Sequence, residues 1–262
     1  MSTPRPTDRD RELVAQLVDA PLPVGLLPIR LGLLLPVEAH QDLGPVSRQQ
    51  AHHARRRLGG GGLGWVREVE AGGWAWLSAT PAGARAVEAE RRPLGISWHA
   101  ARHSRAVWAV RLASEWLARA FDPALESWRW VTDRELAVGS RAGQRDAGGR
   151  WGDGGRGAGR GTWPDGEVIE GGHAVARFEV ELSPKASDRL REKIMALNPR
   201  RGGGAPVTWV CGTPGIEAAV RRRHEALRID PARWSVEPLP LAAVTDRWTA
   251  ETWQQPAASS EP

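Results

Sequence analysis

Residues 139–161 set the strongest limit on how this chain can fold. The segment is built from Gly, Arg, Ala and Asp with almost no aliphatic side chain, so it cannot pack a core of its own. It separates the apolar sequence before it from the apolar sequence after it. Its arginines, Arg141, Arg145, Arg150, Arg156 and Arg160, outnumber Asp146 and Asp153, which makes it a basic flexible loop that only a ligand would order. The chain has 262 residues, 41% of them hydrophobic. That is enough for a real core rather than wholesale disorder, in one large or two modest domains.

Residue types that are missing or scarce remove whole classes of mechanism. The chain contains no tyrosine, so it cannot open DNA by attaching it to a phenolic oxygen. Its single cysteine, Cys211, lies in the apolar run Val207–Cys211. Disulfide frameworks and cysteine zinc sites are thereby excluded, and a reducing cytoplasm is the expected compartment. The opening residues are polar and charged, unlike a secretory signal. The apolar stretch Pro21–Val37 is broken by Pro23, Pro28 and Arg30 and falls short of the ~20 apolar residues that span a bilayer, so no membrane partner is expected. The glycine runs Gly59–Gly62 and Gly202–Gly204 lack the Gly-Lys-Ser/Thr ending of a phosphate-binding loop.

The net charge of +5 is unevenly placed. Residues 1–90 carry 10 basic and 10 acidic side chains, residues 91–163 carry 13 and 7, and residues 164–262 carry 13 and 14. The basic middle would attract a polyanion such as nucleic acid, or would simply be solvated. Of the 36 basic residues only Lys185 and Lys193 are lysine. Where arginine serves nearly everywhere that a cation suffices, a lysine asks for an explanation.

The first third of the chain reads as helix, helix, helix, hairpin. Leu13, Val14, Leu17 and Val18 share one face of a short helix, and Val24–Leu35 forms a buried helix made irregular by Pro28. Ser47 caps a third helix, Arg48–Leu58, with Ala51, Ala54 and Leu58 inward and Arg48, Gln49, His52, Arg55 and Arg56 outward. Trp65–Val69 and Trp74–Leu77, joined through Gly72-Gly73, form a hairpin. This order predicts a winged helix-turn-helix over residues 1–92, with the third helix in the major groove of double-stranded DNA and Arg67 of the hairpin on the backbone.

The remainder, residues 93–253, reads as an α/β domain, so that the whole is α+β. A long helix is expected over 97–121, a short strand at Trp128–Val131, and then the loop. Strands follow at Glu167–Glu170 and Ala174–Leu182, a helix at Ser187–Leu197, a strand at Val207–Cys211, a helix at Ile216–Leu227 and a short strand at Trp234–Pro238. Residues 254–262 form a disordered tail. His99 and His103 stand at i, i+4 on the long helix, where an exposed helix face explains them better than half a metal site. Trp151 and Trp163 flank or lie in the basic loop and could stack on bases.

Asp165 opens the first of the paired strands, and Glu179 and Glu181 alternate onto one face of the second, which ends at Lys185. If the hairpin register brings Asp165 beside Glu179, carboxylates converge next to an ammonium. Such a group suits Mg²⁺-dependent phosphodiester hydrolysis, in which carboxylate oxygens bind the metal. If it does not, these are acidic residues on an exposed strand and Lys185 is a surface cation.

The winged helix, then Trp128–Leu136, Pro164-Asp165-Gly166, Ala176–Lys185 and Arg189-Leu190 together resemble the replication-relaxation proteins of actinobacterial plasmids and integrative elements. The resemblance spans most of residues 8–230. It implies plasmid replication or DNA mobilisation, a second domain similar to the PD-(D/E)xK nuclease fold, and a relaxase or replication initiator as protein partner. Carried over, Asp165 and Glu179 are the metal ligands. Glu181 stands where that pattern has lysine, Lys185 one turn later is its substitute, and Glu115 or Glu135 would be an additional acidic ligand. The expected activity is metal-dependent DNA nicking. The alternatives are a non-catalytic regulator or relaxosome accessory factor with a degenerate nuclease fold, and a regulator whose second domain binds a small ligand.

Overall fold

The computed structural model describes residues 4–35, 45–121, 128–136, 163–198 and 204–240. The fold is α+β, with a three-stranded and a five-stranded sheet in separate units that divide between Leu125 and Glu126. The loop at 139–161 and the tail at 254–262 lie outside the described residues. No described helix is long and apolar enough to cross a membrane.

The first unit begins with α1 (Asp8–Asp19), whose N-terminus is closed by a reciprocal Thr7/Asp10 capping box. A two-residue strand, β1 (Leu22–Pro23), and one 3₁₀ turn, Val24–Leu26, precede α2 (Leu27–Leu33). The single irregular helix expected over 24–35 is thus a 3₁₀ turn and a short α-helix, with Pro28 in the first turn of α2, where its missing N–H costs no helical hydrogen bond. Helix α3 (Arg48–Leu58) carries a second capping box, Ser47/Gln50, and buries Ala51, Ala54 and Leu58 as its spacing requires. Strands β2 (Val66–Ala71) and β3 (Trp74–Ala79) meet through Gly72 and Gly73, both at positive φ, in the two-residue turn that matches strand twist. The sheet order is β1-β3-β2, antiparallel throughout. A short helix, α4 (Pro81–Ala86), follows.

Helix α5 (Trp98–Phe121) belongs to this first unit, so the compact boundary falls later than the expected 92/93 division. Trp108 and Leu112 join the core formed by Leu13, Leu17, Leu27 and Leu58. The Trp108 indole N–H donates to the Pro21 carbonyl at 2.7 Å, and Glu115 makes a fully buried ion pair with Arg30. A helix that buries a tryptophan and a charge pair in one core belongs energetically to that core.

The second unit is one mixed sheet in the order β4-β5-β6-β7-β8. Strands β4 (Arg129–Thr132), β5 (Gly166–Glu170) and β6 (His173–Glu181) are antiparallel neighbours. Helix α6 (Ser187–Leu197) then crosses to β7 (Val207–Cys211), parallel to β6, and α7 (Pro214–Ala226) crosses to β8 (Trp234–Pro238), parallel to β7. Parallel neighbours require such crossovers, and the helices provide the cover. Leu190, Ile194 and Leu197 of α6, Ile216 and Val220 of α7, and Val207, Trp209 and Cys211 of β7 form the core on that face.

Candidate functional site

The β5–β6 hairpin turns at Gly171 and Gly172, both at positive φ, and pairs Glu170 with His173 and Ile169 with Ala174. Continued without interruption, that register would set Asp165 opposite Phe178 and on the opposite face from Glu179. A bulge at Val168/Ile169 leaves Val175 as the extra residue of β6, and from there Val168 pairs with Ala176 and Gly166 with Phe178. One residue of slip exchanges the two faces of a strand. The bulge therefore brings Asp165 level with Glu179.

Two further contacts fix the position of Asp165. Strand β5 begins at Gly166 and pairs no residue with Val180; the Asp165 carboxylate accepts the Val180 N–H at 2.7 Å. Gly166 lies flat against the Trp130 indole, which stacks on Phe178 with centroids 5.2 Å apart. A Cβ on Gly166 would fall 1.9 Å from the Trp130 ring, so only glycine fits.

Glu179 and Glu181 share the β6 face that looks toward α6, and both are buried. Lys185 ion-pairs with Glu181 and stands 4.0 Å from Glu179 Oε1. Lys193, from the middle of α6, ion-pairs with Glu179 Oε1. Both lysines of the chain thus meet Glu179. Glu167, one step along this face from Asp165, pairs with Arg177 at 2.9 Å.

Burial and the nearby Asp165 carboxylate push the Glu179 carboxyl up to about 8, against the opposing pull of Lys193 and Lys185. Burial works against the Lys193 charge, but Glu179 and Asp165 outweigh it and raise its value. The cluster therefore retains protons. The other Glu179 oxygen, Oε2, is buried and has no hydrogen-bond partner among the described residues. Asp165, Glu179, Glu181 and Lys185 are thus gathered as the favourable register required. Lys193 is the addition, and its only sequence signal was the scarcity of lysine.

Other candidates have different work. Glu115 is committed to Arg30 and Arg119 in the first unit. Glu135 accepts the Thr132 N–H at 2.9 Å and pairs with Arg129. Cys211 is buried and its thiol is pushed up to about 12, chiefly by burial, so it stays protonated and inert.

On α3, Arg48, Gln49, His52 and Arg56 are exposed. Arg57 turns inward to Asp10, its Nη2 2.6 Å from the carboxylate. Arg55 is half-buried and pairs with Glu68 of β2 at 3.0 Å. Strand alternation puts Glu68 and Glu70 on the side of the hairpin that meets α3 and Arg67 on the other. The structure therefore does not bring Arg67 together with the α3 residues.

Among the described residues no group of three or more His, Cys, Asp and Glu side chains is arranged to hold a metal ion. No protein-family model matches the chain, and neither a curated protein nor a solved structure is detectably similar to it.

Proposed function

We propose that this is a cytoplasmic protein that binds double-stranded DNA through its first unit and carries a phosphodiesterase site on its second. The observation that carries the reading is the convergence of the chain's only two lysines on Glu179 and Glu181, with Asp165 held beside them by a bulge. A strand arrangement of three antiparallel neighbours followed by a helical crossover to a parallel strand supports a PD-(D/E)xK-like fold. The order α1, β1, α2, α3, β2, β3 supports a winged helix. On this reading the protein acts in the replication, relaxation or mobilisation of a plasmid or integrative element, in the manner of the replication-relaxation family. A relaxase or replication initiator would be its partner.

The residues suit Mg²⁺ in one respect: Glu179 Oε2 is buried with no hydrogen-bond partner among the described residues, and a carboxylate oxygen is a ligand of the kind Mg²⁺ takes. Asp165 and Glu179 would hold the ion, which would polarise the scissile phosphate and acidify a water. Glu179 must first give up its proton, and Asp165 keeps its orientation through the Val180 N–H. Lys193 and Lys185 place positive charge beside the carboxylates, where the extra negative charge of a five-coordinate phosphate would need it. With no tyrosine in the chain no phosphotyrosine link can form, and on this reading water attacks and a free end is left.

A second reading is favoured by the same ammonium contacts. Glu179 and Glu181 are each already paired with a lysine, so on this reading the face is a neutralised remnant. The protein is then a DNA-binding regulator or relaxosome accessory factor. Relaxation of supercoiled plasmid with Mg²⁺, with EDTA, and with Glu179→Gln separates the two. Mg²⁺-dependent nicking lost in the variant supports the enzyme, DNA binding without nicking supports the accessory factor, and no DNA binding overturns both.

A further inference from the structure

Arg55 and Glu68 join two elements that are each rigid by construction. Helix α3 is capped by Ser47 and Gln50, and β2 is paired with β3 along its whole length, from Val66↔Ala79 to Ala71↔Trp74. Between them Arg55 Nε meets Glu68 Oε1 at 3.0 Å, while Arg55 Nη2 faces His52 Nδ1 at 3.5 Å. The Glu68 side chain is 47% exposed and that of Arg55 31%. A pair so open to water adds little to stability. It also puts a carboxylate on the hairpin face beside α3, where phosphates would repel it unless a cation occupies it.

What the pair does well is aim. With Nε engaged by Glu68 and one Nη2 hydrogen toward His52 Nδ1, the guanidinium keeps Nη1 and the second Nη2 hydrogen for another acceptor. Those donors match the O6 and N7 acceptors that guanine displays in the major groove. Arg48 and Arg56, exposed on the same helix, suit phosphates, which fix register but carry no sequence.

Resting on the DNA-binding reading above, we propose that Glu68 is a positioning residue that aims Arg55 at a guanine, making this pair a determinant of the DNA sequence the protein selects. Removing Glu68 then has two opposed effects. Loss of its negative charge strengthens binding to DNA of any sequence, and loss of the brace weakens discrimination at one base.

The experiment is selection from a random duplex pool by the full chain, followed by binding isotherms on the selected and random duplexes. Wild type, Glu68→Ala, Glu68→Gln and Arg55→Lys are compared, with circular dichroism to confirm folding. Wild type is expected to enrich a guanine at a fixed position. Arg55→Lys abolishes that preference, and both Glu68 variants reduce it by about tenfold, while Glu68→Ala binds random duplex at least as tightly as wild type. Equal tightening on selected and random duplexes, with the guanine preference intact in Glu68→Ala, would overturn the proposal and leave Glu68 as a repelling charge. Duplex binding with no preferred base in wild type overturns the proposal alone. No duplex binding by wild type overturns the DNA-binding reading together with it.

Discussion

The Asp165 carboxylate accepts the Val180 N–H at 2.7 Å, one residue from the buried Glu179. A side chain here replaces the strand partner that β5, beginning at Gly166, does not supply. The hydrogen bond ties charge and backbone together at the site, so the two contributions can be separated by substitution.

Asp165→Asn keeps an acceptor for the Val180 N–H and removes the charge. Its stability to urea is expected within about 1 kcal/mol of wild type, whereas Asp165→Ala, which strands the N–H, costs about 1–3 kcal/mol. Neither variant nicks plasmid DNA if Asp165 holds the metal. Equal stabilities for the two would show that the hydrogen bond contributes nothing.

The raised Glu179 value makes stability depend on pH with a defined sign. The folded chain holds this proton up to about 8, and the unfolded chain releases it in the ordinary carboxylate range. The stabilisation is fully present below that range and is lost as pH rises through about 8, by an amount on the order of a few kcal/mol. Glu179→Gln cannot ionise and should lose this slope. Denaturant titrations at pH 5, 7 and 9 test it, and parallel pH dependences in the two proteins would refute it. Under the metal reading, Mg²⁺ raises wild-type stability most at the alkaline end and leaves Glu179→Gln unchanged.

Lys193→Met removes the counter-ion from a buried carboxylate. The expected cost is about 3–5 kcal/mol where Glu179 is ionised, and distinctly less at pH 5, where it is protonated. The double variant Lys193→Met/Glu179→Met should recover much of the loss, because two apolar side chains need no pairing. A penalty independent of pH in the single variant would mean that packing, not charge, is what Lys193 supplies.

Deleting Val175 removes the bulge and pits the hairpin turn against the core. Strand β6 is held by β7 through the pairs from Arg177↔Val207 to Glu181↔Cys211, so the strain falls on β5 and turns Asp165 away from the Glu179 face. The deletion is expected to abolish any Mg²⁺-dependent nicking. Gly166→Ala should act on the same point by collision with Trp130, at about 1–3 kcal/mol. Full nicking by either protein would show that Asp165 is not needed beside Glu179.

The elements of both units follow from apolar period and turn chemistry. The helix expected over Ser187–Leu197 is α6, which buries Leu190, Ile194 and Leu197, and the apolar run Val207–Cys211 is β7. The site was legible only in its residue types. Asp165, Glu179, Glu181 and Lys185 could be named, but whether they meet depends on Val175, an ordinary strand residue whose role as the extra one leaves no mark in the sequence. The assignment of α5 was hidden for a related reason. Its apolar face says that it packs, while the choice of core is made by the distant contacts of Trp108 with Pro21 and Glu115 with Arg30. The Arg55–Glu68 pair is likewise a tertiary contact across thirteen positions of chain.

Because the chain is so poor in lysine, its amine chemistry is confined almost entirely to one place. An amine-selective acylating reagent would meet only the amino terminus, Lys185 and Lys193 within these 262 residues. Arginine, which makes up the rest of the positive charge, does not react with it. The extent of acylation at the two lysines, read by mass spectrometry, is therefore a direct gauge of whether their ammonium groups are engaged, with no label to introduce. A ligand that draws Glu179 or Glu181 away from them would register as a rise in labelling at a single, built-in pair of reporters.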